Sequence, residues 1–329
     1  MTASFFDRLL QLDGAMFEGF LVLLCALPLA RLAPLPREMQ PLVWFGVLAK
    51  RLAAKVNHNH RHPSQQLTAG LLSALLLILP FWAIVSFLLQ LAAFPWFFEF
   101  LVLYLCLSDA SFAQVAEDID KALQRNDKEH ARAQLGQWLA RDTGELSEVG
   151  IVKATIEKLV TSPVYGTAAV VFFFAIAGAP AVLAVRMVKQ LELVWPPVSP
   201  KYRYFSRPVQ LLSHVLLLLP SWLWSLTLAI LGGPKGFAAL LRPLPGKQPH
   251  ANALRPATVA ANILGVELCG PQRHNGERVA IAPIKGGPKP DRSAIAPAVR
   301  LSNRACLLWF LFLLQLPLTW TVLRLLQAQ

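Results

Sequence analysis

The chain has 329 residues, of which 55% are hydrophobic and only 15% charged, against about 25% charged in an ordinary soluble domain. With a mean hydropathy of +0.48, this excludes a soluble globular protein and predicts an all-α integral membrane protein: a multi-span helical bundle with a soluble helical layer and an irregular Pro/Gly-rich loop region. Lys and Arg give a formal net charge of +12, but they are dispersed and no nucleic-acid-binding motif accompanies them, so the excess is read as loops facing anionic lipid and nucleic acid is not an expected partner.

Residues 16–33 are apolar apart from Glu18 and Arg31 and are long enough to cross a hydrocarbon core of about 30 Å. Asp7, Asp13 and Glu18 stand where a signal peptide carries basic residues, so the segment reads as a retained helix. A basic loop over 34–66 follows, with an amphipathic surface helix expected over 44–56. His58 and His62 are four apart, the spacing of two metal ligands on one helix face. No carboxylate or cysteine lies nearby and Pro63 follows, so a solvated loop end is expected instead.

Residues 67–89 form the strongest apolar run, and 92–107 a second one interrupted by Pro95 and Glu99; a helical hairpin turning near 94–96 is expected, its aromatics at the membrane interface. Residues 108–160 read as a polar helical layer. Phe112, Val115, Ile119 and Leu123 recur at helical spacing, Asn126-Asp127 breaks the helix, a second helix is expected over 128–140, and Ser147 caps a third over 148–160.

The apolar run 164–188 contains Gly178-Ala179-Pro180 and has two readings, one kinked span or a re-entrant pair of half helices, which needs protein around its exposed backbone. The loops 34–66, 186–208 and 233–304 are all basic. The positive-inside rule puts all three in the cytoplasm only if 164–188 and 209–231, the latter broken at Pro220, both turn back. Residues 233–304 are expected to be irregular apart from a helix over 257–264, and 306–326 is the last span; the whole chain, 1–329, is one domain.

Cys25, Cys106, Cys269 and Cys306 form no CxxC pair, so neither a zinc knuckle nor a redox motif is written, and no metal ligand set is assigned. No GxxxxGK[ST] loop is present, and the Gly/Pro turns carrying Lys235 and Lys285 have prolines where a phosphate cradle needs backbone N–H groups.

Two stretches carry a resemblance. Residues 124–180 contain RND, AR, RDT, a glutamate and an apolar run with GAP, and 256–279 read PATVAANILGVELCGPQRHNGERV. In these the chain resembles the CobD/CbiB family, integral membrane proteins of cobalamin biosynthesis. Its members are adenosylcobinamide-phosphate synthases, joining an aminopropanol or its phosphate to a carboxylate of adenosylcobyric acid at the expense of ATP. The same superfamily contains AmpE-like proteins, which lack that activity.

The resemblance runs position by position along nearly the whole chain. The HPVxxIG element falls on 40–46, with Gln40 in place of its histidine. GRDT falls on Ala140-Arg141-Asp142-Thr143, and the glutamate of the next element is Glu157. ENTVDG becomes Thr161-Ser162-Pro163-Val164-Tyr165-Gly166; NTLDSM becomes Lys189-Gln190-Leu191-Glu192-Leu193-Val194. The KY pair is Lys201-Tyr202, the DD pair falls on Ser213 and His214, and GERV stands intact from Gly276 to Val279.

The resemblance therefore implies Arg141, Asp142, Glu157 and Glu192 as catalytic candidates and Lys201, Tyr202, Glu277 and Arg278 as cofactor-binding candidates, with ATP and magnesium as cofactors if the family activity is kept. Beside it stand structural readings: Arg141 and Asp142 as a helix end and its turn, and Glu192 as a surface charge beside Arg186 and Lys189. Magnesium favours carboxylate oxygens, and several expected acids are hydroxyl or phenol groups here. The expectation is a divergent synthase-like protein, a pseudoenzyme with impaired or lost ligation. The alternative is a non-catalytic AmpE-like sensor, partner or assembly protein. The implied setting is the bacterial inner membrane, multi-pass, with lipid and a corrinoid as partners, a second copy or another protein being left open.

Overall fold

A computed structural model describes residues 5–58, 60–244, 251–274 and 276–327. Helix α1 (Phe5–Leu32) leads to the surface helix α2 (Pro41–Val56), where Pro41 occupies a first-turn position that has no N–H partner to lose. α2 buries Leu42, Phe45, Ala49 and Ala53 and exposes Trp44, Val47 and Leu48. Next come α3 (Pro63–Leu91), capped by the His62 ring, and α4 (Pro95–Cys106). At 1.5 Å per residue the 29 residues of α3 rise about 44 Å, enough to cross a bilayer, whereas the 12 residues of α4 rise about 18 Å and fall short. The run 92–107 is thus a short helix rather than a span. The rings of His58 and His60 stack with centroids 5.4 Å apart, and among the described residues no three His, Cys, Asp or Glu side chains form a metal-sized cluster.

The polar layer is α5 (Phe112–Gln124), α6 (Lys128–Gly136) and α7 (Glu148–Pro163). Asn126 takes the left-handed conformation with φ 58°, which a short polar side chain tolerates; Asp127 and Ser147 then cap α6 and α7 through the His130 and Gly150 N–H groups. α6 stops four residues earlier than expected, at Gly136, and an irregular segment carries Trp138 to Arg141.

α7 runs through a π turn (Val164–Ala168) into α8 (Ala169–Val194). Pro163 causes the disruption. It has no N–H for the Leu159 carbonyl, which accepts from the Ser302 hydroxyl instead at 3.1 Å. The Val164 N–H turns to Thr161, so the Val160 carbonyl accepts from the Trp224 indole at 2.8 Å. Both buried acceptors are satisfied from other helices, which locks the turn in place.

α8 is a re-entrant pair. In a straight helix Tyr165 and Arg186 would be about 31 Å apart, yet an Arg186 guanidinium N–H donates to the Tyr165 carbonyl at 3.3 Å. The reversal is at Gly178, with φ 71° and ψ −174°, a conformation essentially reserved for glycine. α9 (Arg207–Leu216) leads to α10 (Leu218–Leu241), which also reverses: Arg255 lies over the Trp222 ring at 3.9 Å and donates to the Leu240 carbonyl at 2.8 Å. Its turn is at Gly233, with φ 57° and ψ −143°, so the expectation of a break at Pro220 is corrected. Pro220 sits in the first turn of α10, where a missing N–H costs nothing.

Residues 233–304 are not mainly irregular. They hold the return arm of α10, α11 (Ala251–Leu264), two antiparallel two-stranded ribbons, β1 (Glu267–Leu268) with β4 (Ile284–Lys285) and β2 (Gln272–His274) with β3 (Glu277–Val279), and the start of α12 (Ile295–Gln327); residues 245–250 and 275 lie outside the described residues. Four helical stretches among the described residues are long and apolar enough to cross a membrane: Pro63–Leu91, Glu148–Val194, Leu218–Leu241 and Arg292–Val322. The protein is an all-α membrane protein. Among the described residues the buried core divides into a polar-layer cluster around α5, α7, α10, α11 and α12, a second between α2, α3 and the return arm of α8, a third joining α1, α4 and α8, and a small fourth of Tyr165, Ala169, Val185 and Leu217.

Candidate functional site

The two arms of the α8 hairpin open on a cavity of about 190 Å³. α7 and the π turn give it Glu157, Lys158, Thr161 and Tyr165; the return arm gives Lys189 and Glu192; the segment after α6 gives Trp138 and Arg141. Asn252 of α11 and Cys269, Gln272 and His274 of the ribbon region complete the wall. Trp138 to Ala140, Lys158, Leu193 and Pro196 also border a second, wider cavity of about 670 Å³, which adds Arg37, Lys50, Arg186, Gln190, Lys201, Tyr202 and Glu277. Residues of all three basic loops thus line one cavity. The Asn57 amide donating to the Lys201 carbonyl at 2.8 Å ties two of them directly.

Tyr165 is the hub. Lys158, only 7% exposed, donates to its hydroxyl at 2.5 Å, and the ammonium also lies 6.0 Å from the Phe112 and Trp138 ring centroids. Arg186 and Lys189 approach the Tyr165 ring at 5.1 and 5.4 Å, and Arg37 covers Trp138 at 4.5 Å. Aromatic faces hold cations through their quadrupole without neutralising them. The junction of the two cavities thus gathers Lys158, Arg186 and Lys189 around the Tyr165 side chain and Arg37 over Trp138.

The two inner-cavity glutamates are each committed. Arg141 pairs with Glu157 at 3.0 Å, with 11% and 14% of the two side chains exposed. The other Glu157 oxygen accepts from the Cys269 N–H at 2.7 Å. Cys269 is held with φ 58°, a strained setting for a side-chain-bearing residue; burial pushes its thiol pKa up, Glu157 adds to the shift, and Arg141 and Lys153 oppose it. Glu192 is 6% exposed, accepts from Lys189 at 2.9 Å and takes the Ser213 hydroxyl bond. It is a buried group, so the surface-charge reading is corrected.

The helix-end reading of Arg141 and Asp142 is corrected too. α6 ends well before them, and Asp142 borders neither cavity. Its carboxylate accepts from the Gly276 N–H at 2.7 Å and its own N–H donates to the Arg273 carbonyl at 2.8 Å, pinning the β2–β3 ribbon. Lys201, Tyr202 and Glu277 line the wider cavity; burial pushes the Tyr202 phenol up. Arg278 is exposed, faces Arg273 across the ribbon and lines neither cavity. Sequence reasoning passed over Lys158, Arg37, Lys50 and Trp138. The available signal was a lysine entering an apolar helical run with a tyrosine seven residues on.

Magnesium does not fit this donor set. No three metal-ligating side chains converge among the described residues, and the two inner-cavity glutamates are held by Arg141 and Lys189. Protein sites for magnesium rely on carboxylates open to the ion beside substrate phosphates.

The sequence model described as CobD/Cbib protein matches residues 23–302. "Cobalamin biosynthesis protein CobD" of Chromobacterium violaceum is 33% identical over 289 residues, 86% of this chain and 92% of that protein. The protein of the same description from Stutzerimonas stutzeri is 30% identical over 297 residues, covering 90% and 97%. "Cobalamin biosynthesis protein CbiB" of Salmonella typhi is 29% identical over 191 residues, 56% of this chain and 60% of that protein. No solved structure matches the chain. A family match over most of its length, together with relatives aligned almost end to end, means that this chain belongs to the CobD/CbiB family.

Proposed function

We propose that this protein serves cobalamin biosynthesis from the bacterial inner membrane, with its basic loops and joined cavities on the cytoplasmic side, as a corrinoid-handling member of its family whose ATP-dependent amide ligation is impaired or lost. The observation that carries this reading is the setting of Tyr165. The resemblance gives that position an aspartate; here a phenol stands there, hydrogen-bonded by Lys158 and faced by Arg186 and Lys189. A carboxylate at this point would offer oxygens to a metal ion, whereas the phenol surrounded by cations repels one. Thr161 in the same wall removes a second expected acid.

The test is complementation of a strain lacking its own adenosylcobinamide-phosphate synthase. The protein, inserted in the membrane at the level of an active relative, is expected not to restore cobalamin-dependent growth from cobyric acid. Full restoration would show that ligation is intact and overturn the reading.

A further inference from the structure

We propose that the wider cavity opens sideways into the bilayer along the edge of α2, and that an acyl chain of a membrane phospholipid occupies this opening. The opening concerns how the cavity meets the membrane and stands whether or not ligation is kept.

The depth of α2 is fixed by α3. Phe45 meets Phe81 edge to face, with ring centroids 6.0 Å apart. Along α3, Phe81 is about 27 Å from Pro63 and about 15 Å from Leu91 at 1.5 Å per residue. It is therefore well inside a run that crosses a hydrocarbon core of about 30 Å. Leu42, Ala49 and Ala53 share a buried cluster with Ala74, Leu77 and Ile78, and the short link 57–62 returns the chain from Val56 to the start of α3. α2 thus runs beside the span, first turns deepest, and does not lie across its top.

The exposed side chains of α2 are sorted along the same axis. Trp44, Val47 and Leu48 come first; Lys50, Arg51 and Lys55 follow, where long basic side chains reach the headgroups. Trp44 is 62% exposed, yet its indole N–H already donates to the Glu38 carbonyl at 2.7 Å, so the ring needs no water and suits hydrocarbon. Val47 joins this face to the cavity: it is 46% exposed and also lines the cavity wall. Val43, one turn before it, lines the cavity too, and Leu193 and Val194 of the return arm add apolar wall. A Cβ at Gly46 would stand 3.1 Å from Val194, so the two helices touch and their apolar walls adjoin. A methylene chain from the adjoining leaflet covers these walls, which water would otherwise wet.

The full chain in phosphatidylcholine nanodiscs, with p-benzoylphenylalanine replacing one residue at a time, is irradiated and its lipid adducts are measured by intact-protein mass spectrometry. Val47 and Val43 are expected to form adducts within about threefold of Ile84, an exposed residue of α3, and Glu117, exposed on the polar layer, at least about tenfold fewer. Adducts at Val47 no higher than at Glu117 would place α2 in water, and adducts at Val47 with none at Val43 would seal the cavity from lipid; either overturns the proposal. Hydroxyl-radical footprinting of the unsubstituted chain in the same nanodiscs supplies a second readout. Trp44 is expected to oxidise as slowly as Trp82, exposed on α3; oxidation about fivefold faster would overturn the proposal too. None of these readouts depends on growth complementation, so the two readings fail separately.

Discussion

Removing Arg141 tests the idea that the inner-cavity carboxylates are neutralised from within the protein. Arg141→Met keeps most of the side-chain volume and deletes the charge. Glu157 then keeps the Cys269 N–H bond at 2.7 Å but loses its cation at 3.0 Å. Breaking a fully buried pair on one side costs about 3–5 kcal/mol. The side chains are 11% and 14% exposed, so some water reaches them and about 2–3 kcal/mol is expected. Glu157→Gln removes the charge but keeps an oxygen for Cys269, for about 1–2 kcal/mol. The double variant leaves no orphaned charge, so it should be more stable than the two single costs imply, with a coupling of about 1.5 kcal/mol. Unfolding in mixed micelles of increasing SDS fraction measures all four proteins. Simple additivity, or an Arg141→Met cost below about 0.5 kcal/mol, would refute the argument, because the pair would then be behaving as a solvated surface bridge.

Three further outcomes follow from single positions. Gly178→Ala forces a Cβ onto φ 71°, ψ −174° and is expected to cost about 1–3 kcal/mol in the same assay, the reversal of α8 being the feature at stake. Gly70→Ala is harsher, about 3 kcal/mol or more, because its Cβ would overlap the Phe205 carbonyl, a backbone atom that cannot step aside; wild-type-like folding would mean α3 is not seated on that loop. Hydrogen bonding from Lys153, chiefly, holds the Glu267 carboxyl below its ordinary value of 4.5. A depressed carboxylate contributes stability above its unfolded value and loses it as pH falls through the folded one. The advantage of wild type over Glu267→Gln should therefore be full at neutral pH and shrink below about pH 4.5; a difference that persists in acid would show that packing, not charge, accounts for it.

The bilayer made much of this fold legible, because a spanning helix must be long, apolar and internally hydrogen-bonded. The runs that became α3 and α12 needed no tertiary information. The caps at Asp127 and Ser147 were equally plain, since a short polar side chain before a helical pattern has a local reason to be there. The hairpins were half-legible. Three basic loops demanded reversals, and Gly178 supplied one, but Pro220 drew attention away from Gly233. Proline marks where a helix loses a donor, whereas glycine marks where the chain can turn left, and only the second reverses a path. The motif likewise singled out Asp142 but gave no hint that it staples the β2–β3 ribbon.

The site itself was harder to read, and Glu157 and Lys158 show why. Adjacent in sequence and opposite in charge, they invite description as a pair. On a helix, however, successive side chains diverge by about 100° and do not face each other. That one step sends Glu157 toward Arg141 and the Cys269 N–H, and Lys158 toward Phe112, Trp138 and Tyr165. Glu157 is thereby paired in the inner cavity while the Lys158 side chain lies against aromatic rings and a phenol between the two cavities. The π turn that follows Pro163 carries Tyr165, whose hydroxyl accepts from Lys158. Proline, phenol and lysine thus form one structural unit spread over eight residues, and it places a phenol and a buried lysine where the resemblance implies a carboxylate.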